Sequence, residues 1–207
     1  LGEKPELRYQ VVQDQLRCLG FSRLIDYLYT MCARVLEETN LLPHINAGTM
    51  NNEEIELLKP VSASMGMMLE NTSRRLLKKG EAHYKCPDKT PIQRLRTLER
   101  AGRKNVPFTT GLLIGIGETW KERLETLVDI IEIHRRYGHI QEVIIQNFRA
   151  KQGTLMENSP EPSHDDMCRT LAVARLMLPA EISLQAPPNL SDNYLDYIDC
   201  GINDWGG

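Results

Sequence analysis

The chain has 207 residues, of which 41% are hydrophobic and 26% charged, values typical of a globular protein with a buried core. Its net charge of −3 gives no basic face for nucleic acid or an anionic membrane, and no apolar run is long enough to span a bilayer. Five scattered cysteines without a C-x-x-C pair argue against a disulfide framework and against a metal site built from them, so we predict a cytoplasmic protein.

The first residues, LGEKPE, contain neither an initiator methionine nor the apolar core of a signal peptide. We therefore expect the chain to be a fragment of a longer protein. The first predicted element is a helix that Ser22 can cap and that ends near Asn40, because apolar residues recur between them at helical spacing.

A strand and loop at 42–48 follow this helix. A short helix then begins at Asn51 or Asn52 and is stopped by Pro60. The next strand pattern covers residues 62–70, SASMGMMLE, and ends on an acid.

The second half of the chain repeats this alternation, with capped helices between strand patterns. The predicted caps are Thr90 before Pro91, Thr119 with Glu122 as a capping box, and Ser163 with Asp166. The helices end at Gly102, Gly138 and Pro179, the strands lie at 108–119, 142–148 and 181–186, and a short helix around Leu195 and Ile198 leads into 201–206.

Strict alternation of helices and strands indicates a parallel sheet with crossover helices, in either a barrel or a doubly wound open sheet. A complete eight-unit barrel takes about 250 residues. Two missing units of about 30 residues each would bring this chain close to that length. We predict an α/β fold in which residues 1–207 form roughly the last six of eight units of a parallel TIM-type barrel.

The predicted strands end in amides, acids and glycines, and strand C-terminal ends carry the active sites of parallel barrels. These ends show no Ser-His-Asp order, no H-E-x-x-H motif and no lysine placed for Schiff-base chemistry. His44 is the one histidine at a strand end. Such a rim suits a cofactor that supplies the reactive chemistry itself.

Several long strings resemble one enzyme family: LLPHINAG, PVSASMGMMLE, VPFTTGLLIGIGET, RRYGHIQEVIIQNFRAK, SLQAPPNL and CGINDWGG. They are similar to the radical S-adenosylmethionine enzymes, and within these to the deazaflavin-forming branch. The resemblance implies S-adenosylmethionine, a 4Fe-4S cluster, a one-electron reductant and a small-molecule substrate. It also implies a C-x-x-x-C-x-x-C loop, which this sequence lacks, so the cluster cysteines are expected upstream and none of the five present is assigned to the cluster.

The resemblance also implies which residues hold S-adenosylmethionine. Gly2 and Glu3 would bind the methionine amino group, Glu70 the ribose, and Arg94 the methionine carboxylate. The adenine would lie against Gly111, Leu113, Gly115 and Glu118. Three of these have alternative interpretations: Glu118 and Glu70 as acids at helix N-termini, and Arg94 as a solvated charge on a helix face.

The predicted substrate-side residues rest on strand-end position alone, and each could instead hydrogen-bond the rim of the barrel. They are Gln146, Asn147, Gln185, Asn189, Asn203 and Asp204.

The implied activity is formation of a deazaflavin chromophore from a tyrosine-derived adduct of a ribityl-diaminouracil, with loss of ammonia. Alternatives are a partner synthase that joins tyrosine to the uracil, a biotin-synthase-like or hydrogenase-maturation enzyme, and an inactive or ligand-binding fragment. The sequence leaves open whether a partner synthase or a fused second module supplies the step that joins tyrosine to the uracil.

Overall fold

The computed structural model describes residues 3–206, whose six strands form one parallel sheet in chain order. The strands are β1 His44–Ile45, β2 Ser64–Gly66, β3 Phe108–Ile114, β4 Ile140–Asn147, β5 Ser183–Ala186 and β6 Asp204–Trp205. One cavity is lined by residues from all six strands, so the sheet curls around it as a half-barrel. This confirms the predicted parallel barrel architecture.

Helices precede the first strand and connect the strands as far as β5, and they cover the outer face of the sheet. They are α1 Gln10–Cys18, α2 Leu24–Glu38, α3 Asn52–Leu58, α4 Pro91–Arg103, α5 Trp120–Tyr137 and α6 His164–Met177, with short 3-10 turns that include Arg74–Leu77, Pro188–Leu190 and Tyr194–Tyr197. The sheet and helices enclose one hydrophobic core that includes Phe108, Leu112 and Ile145. Within residues 3–206, no helix is long and apolar enough to cross a membrane.

Two predicted caps, at Thr119 and Ser163, are confirmed, and the helix predicted to begin at Asn51 or Asn52 has a capping box that was not predicted. Asn51 with Glu54 and Thr119 with Glu122 form capping boxes, and the Ser163 side chain accepts a hydrogen bond from a backbone N–H of α6. Each cap satisfies an N–H group that has no partner within its helix. These caps fix where α3, α5 and α6 begin.

One predicted cap is wrong, and another is confirmed in its position but not in its hydrogen bond. The residue before α2 is Arg23 rather than Ser22, and the Leu24 N–H instead donates to Glu6 Oε1 at 3.2 Å. Thr90 does precede α4, but its hydroxyl donates to the Pro87 carbonyl rather than accepting from the helix. Glu6 thus replaces Ser22 as the acceptor at the start of α2, and the Thr90 hydroxyl turns toward the loop before α4.

The strand predicted at 62–70 is shorter in the structure, where β2 covers only Ser64–Gly66. The Thr110 hydroxyl interrupts the ladder, because it accepts from Leu69 N and donates to the Met67 carbonyl. Pairing resumes as a single bridge between Glu70 and Leu112. The interruption leaves Glu70 in a left-handed conformation, with φ of 64°.

Candidate active site

The concave face of the sheet encloses a cavity of about 560 Å³. Three predicted substrate-side residues line it: Gln146 on β4, Gln185 on β5 and Asp204 on β6. Gln185 Nε2 donates to Asp204 Oδ2 at 2.9 Å, which ties the ends of two neighbouring strands together. The remaining polar residues of the lining are His44, Asn46, Ser64, Thr109 and Glu142.

The other predicted substrate-side residues lie outside this lining. Asn147 follows Gln146 but points to the opposite face of β4, because strand side chains alternate; there it is buried and donates to the Leu190 carbonyl. Asn189 is exposed on a 3-10 turn. Asn203 Oδ1 accepts from Leu184 N at 2.7 Å and so closes the pairing of β5 with the last strand.

Two hydrogen-bonded pairs cross the floor of the cavity and were not predicted as a site. His44 Nδ1 lies 2.8 Å from Ser64 Oγ, and the Thr109 hydroxyl donates to Glu142. Each pair joins residues that stand opposite each other in register on adjacent strands. The alternation within β4 carried the signal for Glu142, since residues 142, 144 and 146 share one face.

A second cavity, of about 340 Å³, brings together three residues predicted for S-adenosylmethionine: Glu3, Glu70 and Arg94. Gly2, predicted beside Glu3, lies outside the described residues. Glu3 Oε2 accepts from Thr49 N at 2.8 Å. Gly48 has a φ of 75°, and a Cβ there would overlap the Glu3 carboxyl group, so a glycine is required for Glu3 to reach this position.

Arg94 is only 2% exposed, which rules out a solvated helix-face charge. Its guanidinium donates to Glu3 Oε1 at 2.6 Å, to the Asp88 carbonyl at 2.8 Å and to the Met68 carbonyl. Four donor–acceptor contacts therefore surround this cation within the protein. Arg94 positions Glu3 and the chain before Glu70.

The Glu70 carboxylate is held by a histidine and a lysine that the sequence did not reveal. One oxygen lies 2.9 Å from His83 Nε2, and the other accepts from Lys89 Nζ. Burial is the largest influence and acts to raise the pKa of Glu70, but the His83 hydrogen bond and the charge of Lys89 outweigh it and lower the pKa to about 2. Glu70 is consequently an anion at neutral pH.

The glycine-rich end of β3 forms a turn around Glu118. The Glu118 side chain is fully buried and accepts from Gly115 N at 2.9 Å and Ile116 N at 2.8 Å, and Arg123 Nε donates to it at 2.7 Å. Gly115 has a φ of 86°, a conformation that side-chain-bearing residues rarely adopt. Glu118 thus shapes the loop by binding its backbone.

The other two residues of this predicted element lie within β3. A Cβ at Gly111 would overlap the Ile144 carbonyl oxygen, so this glycine permits close approach of β4. Leu113 is half-buried and pairs with Gln146. Beyond the strand, Gly115 to Gly117 line a third cavity, of about 570 Å³, together with residues 80–86 and 155–160.

A metal site is not formed by the side chains that the structure describes. Between residues 3 and 206, no group of three or more His, Cys, Asp or Glu side chains could hold a metal ion. All five cysteines are free, and Cys18 and Cys86 are exposed. The described residues therefore do not fit an iron–sulfur cluster.

The chain matches known synthases over its whole length. It is 51% identical over 210 residues to the FO synthase of Mycobacterium tuberculosis strain H37Rv, covering 100% of this chain and 24% of that protein. It is 48% identical over 208 residues to the 7,8-didemethyl-8-hydroxy-5-deazariboflavin synthase of Methanopyrus kandleri, covering 100% of this chain and 62% of that protein. No protein-family model matches the chain.

The chain thus spans about a quarter of the first of these relatives and less than two thirds of the second. Among solved structures, HydG, a maturase of the FeFe-hydrogenase, gives a TM-score of 0.75 at 18% identity, over 87% of this chain and 42% of that one. Methylornithine synthase PylB gives 0.70 at 19% identity, over 87% of this chain and 51% of that one. The chain is therefore homologous along its whole length to a segment of the FO and 7,8-didemethyl-8-hydroxy-5-deazariboflavin synthases, and it has the barrel fold seen in HydG and PylB.

Proposed function

We propose that the full-length protein makes the chromophore 7,8-didemethyl-8-hydroxy-5-deazariboflavin from a tyrosine-derived adduct of a ribityl-diaminouracil, releasing ammonia. The observation that carries this proposal is the identity of 48–51% over the whole chain with synthases of that name. HydG, of the hydrogenase-maturation class, is only 18% identical. The partner synthase and biotin-synthase-like alternatives are consequently not favoured.

We further propose that residues 1–207 are the later part of a barrel domain whose first strands carry the C-x-x-x-C-x-x-C loop for a 4Fe-4S cluster. Two observations support this proposal. The relatives are longer than the segment that they share with this chain, and residues 3–206 form no group of side chains that could hold a metal ion. Because the described residues do not hold the cluster, no step is derived through it. A fused module or a partner synthase could supply the adduct, since the match covers 24% of the longer relatives.

The described residues do suit S-adenosylmethionine. The anionic Glu70 can accept ribose hydroxyls, and the buried Asn71 Nδ2 beside it lacks a hydrogen-bond partner. Glu3 would accept from the methionine amino group, and the Gly115–Gly117 backbone would leave room for adenine. With a one-electron reductant, the bound cofactor would supply a deoxyadenosyl radical.

The role of the concave cavity in this proposal is to bind the adduct and to exclude water. Its lining includes Glu142, Asp204, Gln146 and Gln185 but, among the described residues, no lysine or arginine. Carboxylates and amides accept hydrogen bonds from hydroxyl and amine groups. The cavity therefore suits a neutral polyol chain better than a phosphate ester.

The test is anaerobic reconstitution of the full-length protein with iron, sulfide and a reductant. Supplied with the preformed adduct, it should release deoxyadenosine and a fluorescent deazaflavin. Tyrosine and the diaminouracil alone should give deazaflavin only when a partner or fused synthase is present. Deoxyadenosine without deazaflavin from the adduct would contradict the substrate while retaining the cofactor assignment.

A further inference from the structure

We propose that His44 is the acid that protonates the departing amine when ammonia is released, an inference that rests on the proposed function. An amine leaves a carbon atom readily only as ammonia, so its nitrogen must receive a proton as the bond breaks. The concave cavity offers three titratable side chains: His44, Glu142 and Asp204. Imidazole is the one of these groups that commonly donates a proton near neutral pH.

The geometry fixes one nitrogen of His44 and leaves the other facing the cavity. Nδ1 lies 2.8 Å from Ser64 Oγ, a contact between residues paired in register on β1 and β2. Nε2 lies 2.7 Å from the point that a Cβ at Gly66 would occupy. The imidazole therefore extends over Gly66, and any larger side chain there would have to displace it.

The position of Gly66 directs His44 toward the middle of the cavity floor. Gly66 pairs with Thr109, and Thr109 pairs with Glu142, so this row runs across three adjacent strands. The imidazole over Gly66 and the Thr109–Glu142 pair both line the cavity. An amine bound there would meet a proton donor on one side and a carboxylate on the other.

The step balances without an oxidant. The proton moves from His44 Nε2 to the amine, the carbon–nitrogen bond breaks with its electron pair on nitrogen, and ammonia leaves. The electron pair of the neighbouring carbon–hydrogen bond forms a carbon–carbon double bond, and that proton passes to water. Solvent returns a proton to the imidazole.

The test compares His44→Gln with the unmodified, reconstituted full-length protein, using the preformed adduct. We expect deoxyadenosine formation to stay within about twofold, while deazaflavin formation falls by about 10²-fold or more, the usual size of a general-acid effect. A nitrogen-retaining product should accumulate in the mass spectrum. Imidazole added to His44→Ala should restore part of the deazaflavin, and the alkaline limb of the pH–rate profile, along which a general acid loses its proton, should change.

His164→Gln is the matched control, since His164 lies on α6 and lines a cavity on the other side of the sheet with Asn147. It should leave both products unchanged. Deazaflavin formation within twofold of normal in His44→Gln would overturn the inference. Loss of both products in that variant would also overturn it and assign His44 a structural role. An unmodified enzyme that makes deoxyadenosine but no deazaflavin would instead contradict the proposed function, and this inference with it.

Discussion

Arg94 Nη1 lies 2.6 Å from Glu3 Oε1 and so joins two residues that are 91 positions apart in the chain. The same guanidinium binds the carbonyl groups of Met68 and Asp88. One buried cation therefore connects the N-terminal segment, the chain that leads to Glu70, and α4. This relationship makes Arg94 a structural centre of the second cavity.

Replacing Arg94 with methionine should lower the free energy of unfolding by about 3–5 kcal/mol, because it leaves the Glu3 carboxylate and two carbonyl groups without their donor. Urea denaturation of the full-length protein measures this change. Arg34→Met is the control, since Arg34 pairs with Glu38 on the exposed face of α2 and its loss should change the free energy of unfolding little. Equal effects of the two substitutions would contradict the structural role of Arg94.

Glu70 should make stability depend on pH in a defined window. Its pKa is about 2 in the folded protein against 4.5 for an ordinary glutamate, so its contribution is fully present above pH 4.5 and is lost as pH falls toward 2. The shift corresponds to about 3 kcal/mol. Glu70→Gln should be less stable than the unmodified protein at pH 6, and the difference should shrink in acid.

Unfolding free energies of the full-length protein, measured from pH 6 to pH 2, check this window. A Glu70→Gln difference that is constant across the range would contradict the ionised state assigned to Glu70. Asp129→Asn is a useful comparison, because burial raises the pKa of Asp129. The pH dependence of that variant should have the opposite sign.

Gly111→Ala should destabilise the sheet strongly, because the added Cβ would overlap the Ile144 carbonyl oxygen of the adjacent strand. We expect a loss of more than about 2 kcal/mol, measured by thermal or urea unfolding. Gly138→Ala is the control. Gly138 has open space around it but a φ of 66°, so only the backbone strain of about 1–2 kcal/mol applies. A smaller effect at Gly111 than at Gly138 would show that β4 does not approach so closely.

Gly66→Ala should impair product formation more than folding. Its Cβ would lie 2.7 Å from His44 Nε2, and the exposed imidazole can move away at little cost in stability. Deazaflavin formation should therefore fall by about tenfold or more while deoxyadenosine formation and the melting temperature change little. A variant that loses stability and both products together would contradict this role for the space over Gly66.

The local signals in the sequence were reliable where a residue and its partner are neighbours in the chain. The capping box of Thr119 with Glu122 was predicted from spacing, whereas the box of Asn51 with Glu54 has the same spacing and was not predicted. The cap predicted at Ser22 was wrong, because Glu6 accepts from the first turn of that helix instead. Thr90 is the N-cap residue of α4 as predicted, but its hydroxyl binds the Pro87 carbonyl. Helix α1, Gln10–Cys18, went unrecognised, and Leu16 is its one buried residue.

The site depended on contacts between distant residues, which spacing does not reveal. The sequence placed Glu70, Glu3 and Arg94 near one another only through the family resemblance, and it did not predict His83 or Lys89 as partners of Glu70. Strand alternation separates Gln146 from Asn147, although both were selected by strand-end position. The binding roles proposed for these residues stay predictions.

The most direct test of the proposed function is a single turnover of the reconstituted full-length protein with the preformed adduct and S-adenosylmethionine, analysed for both products. We expect deoxyadenosine and fluorescent 7,8-didemethyl-8-hydroxy-5-deazariboflavin to form in equivalent amounts as the adduct is consumed and ammonia appears. Complete cluster loading and cofactor cleavage with the adduct recovered unchanged would contradict it.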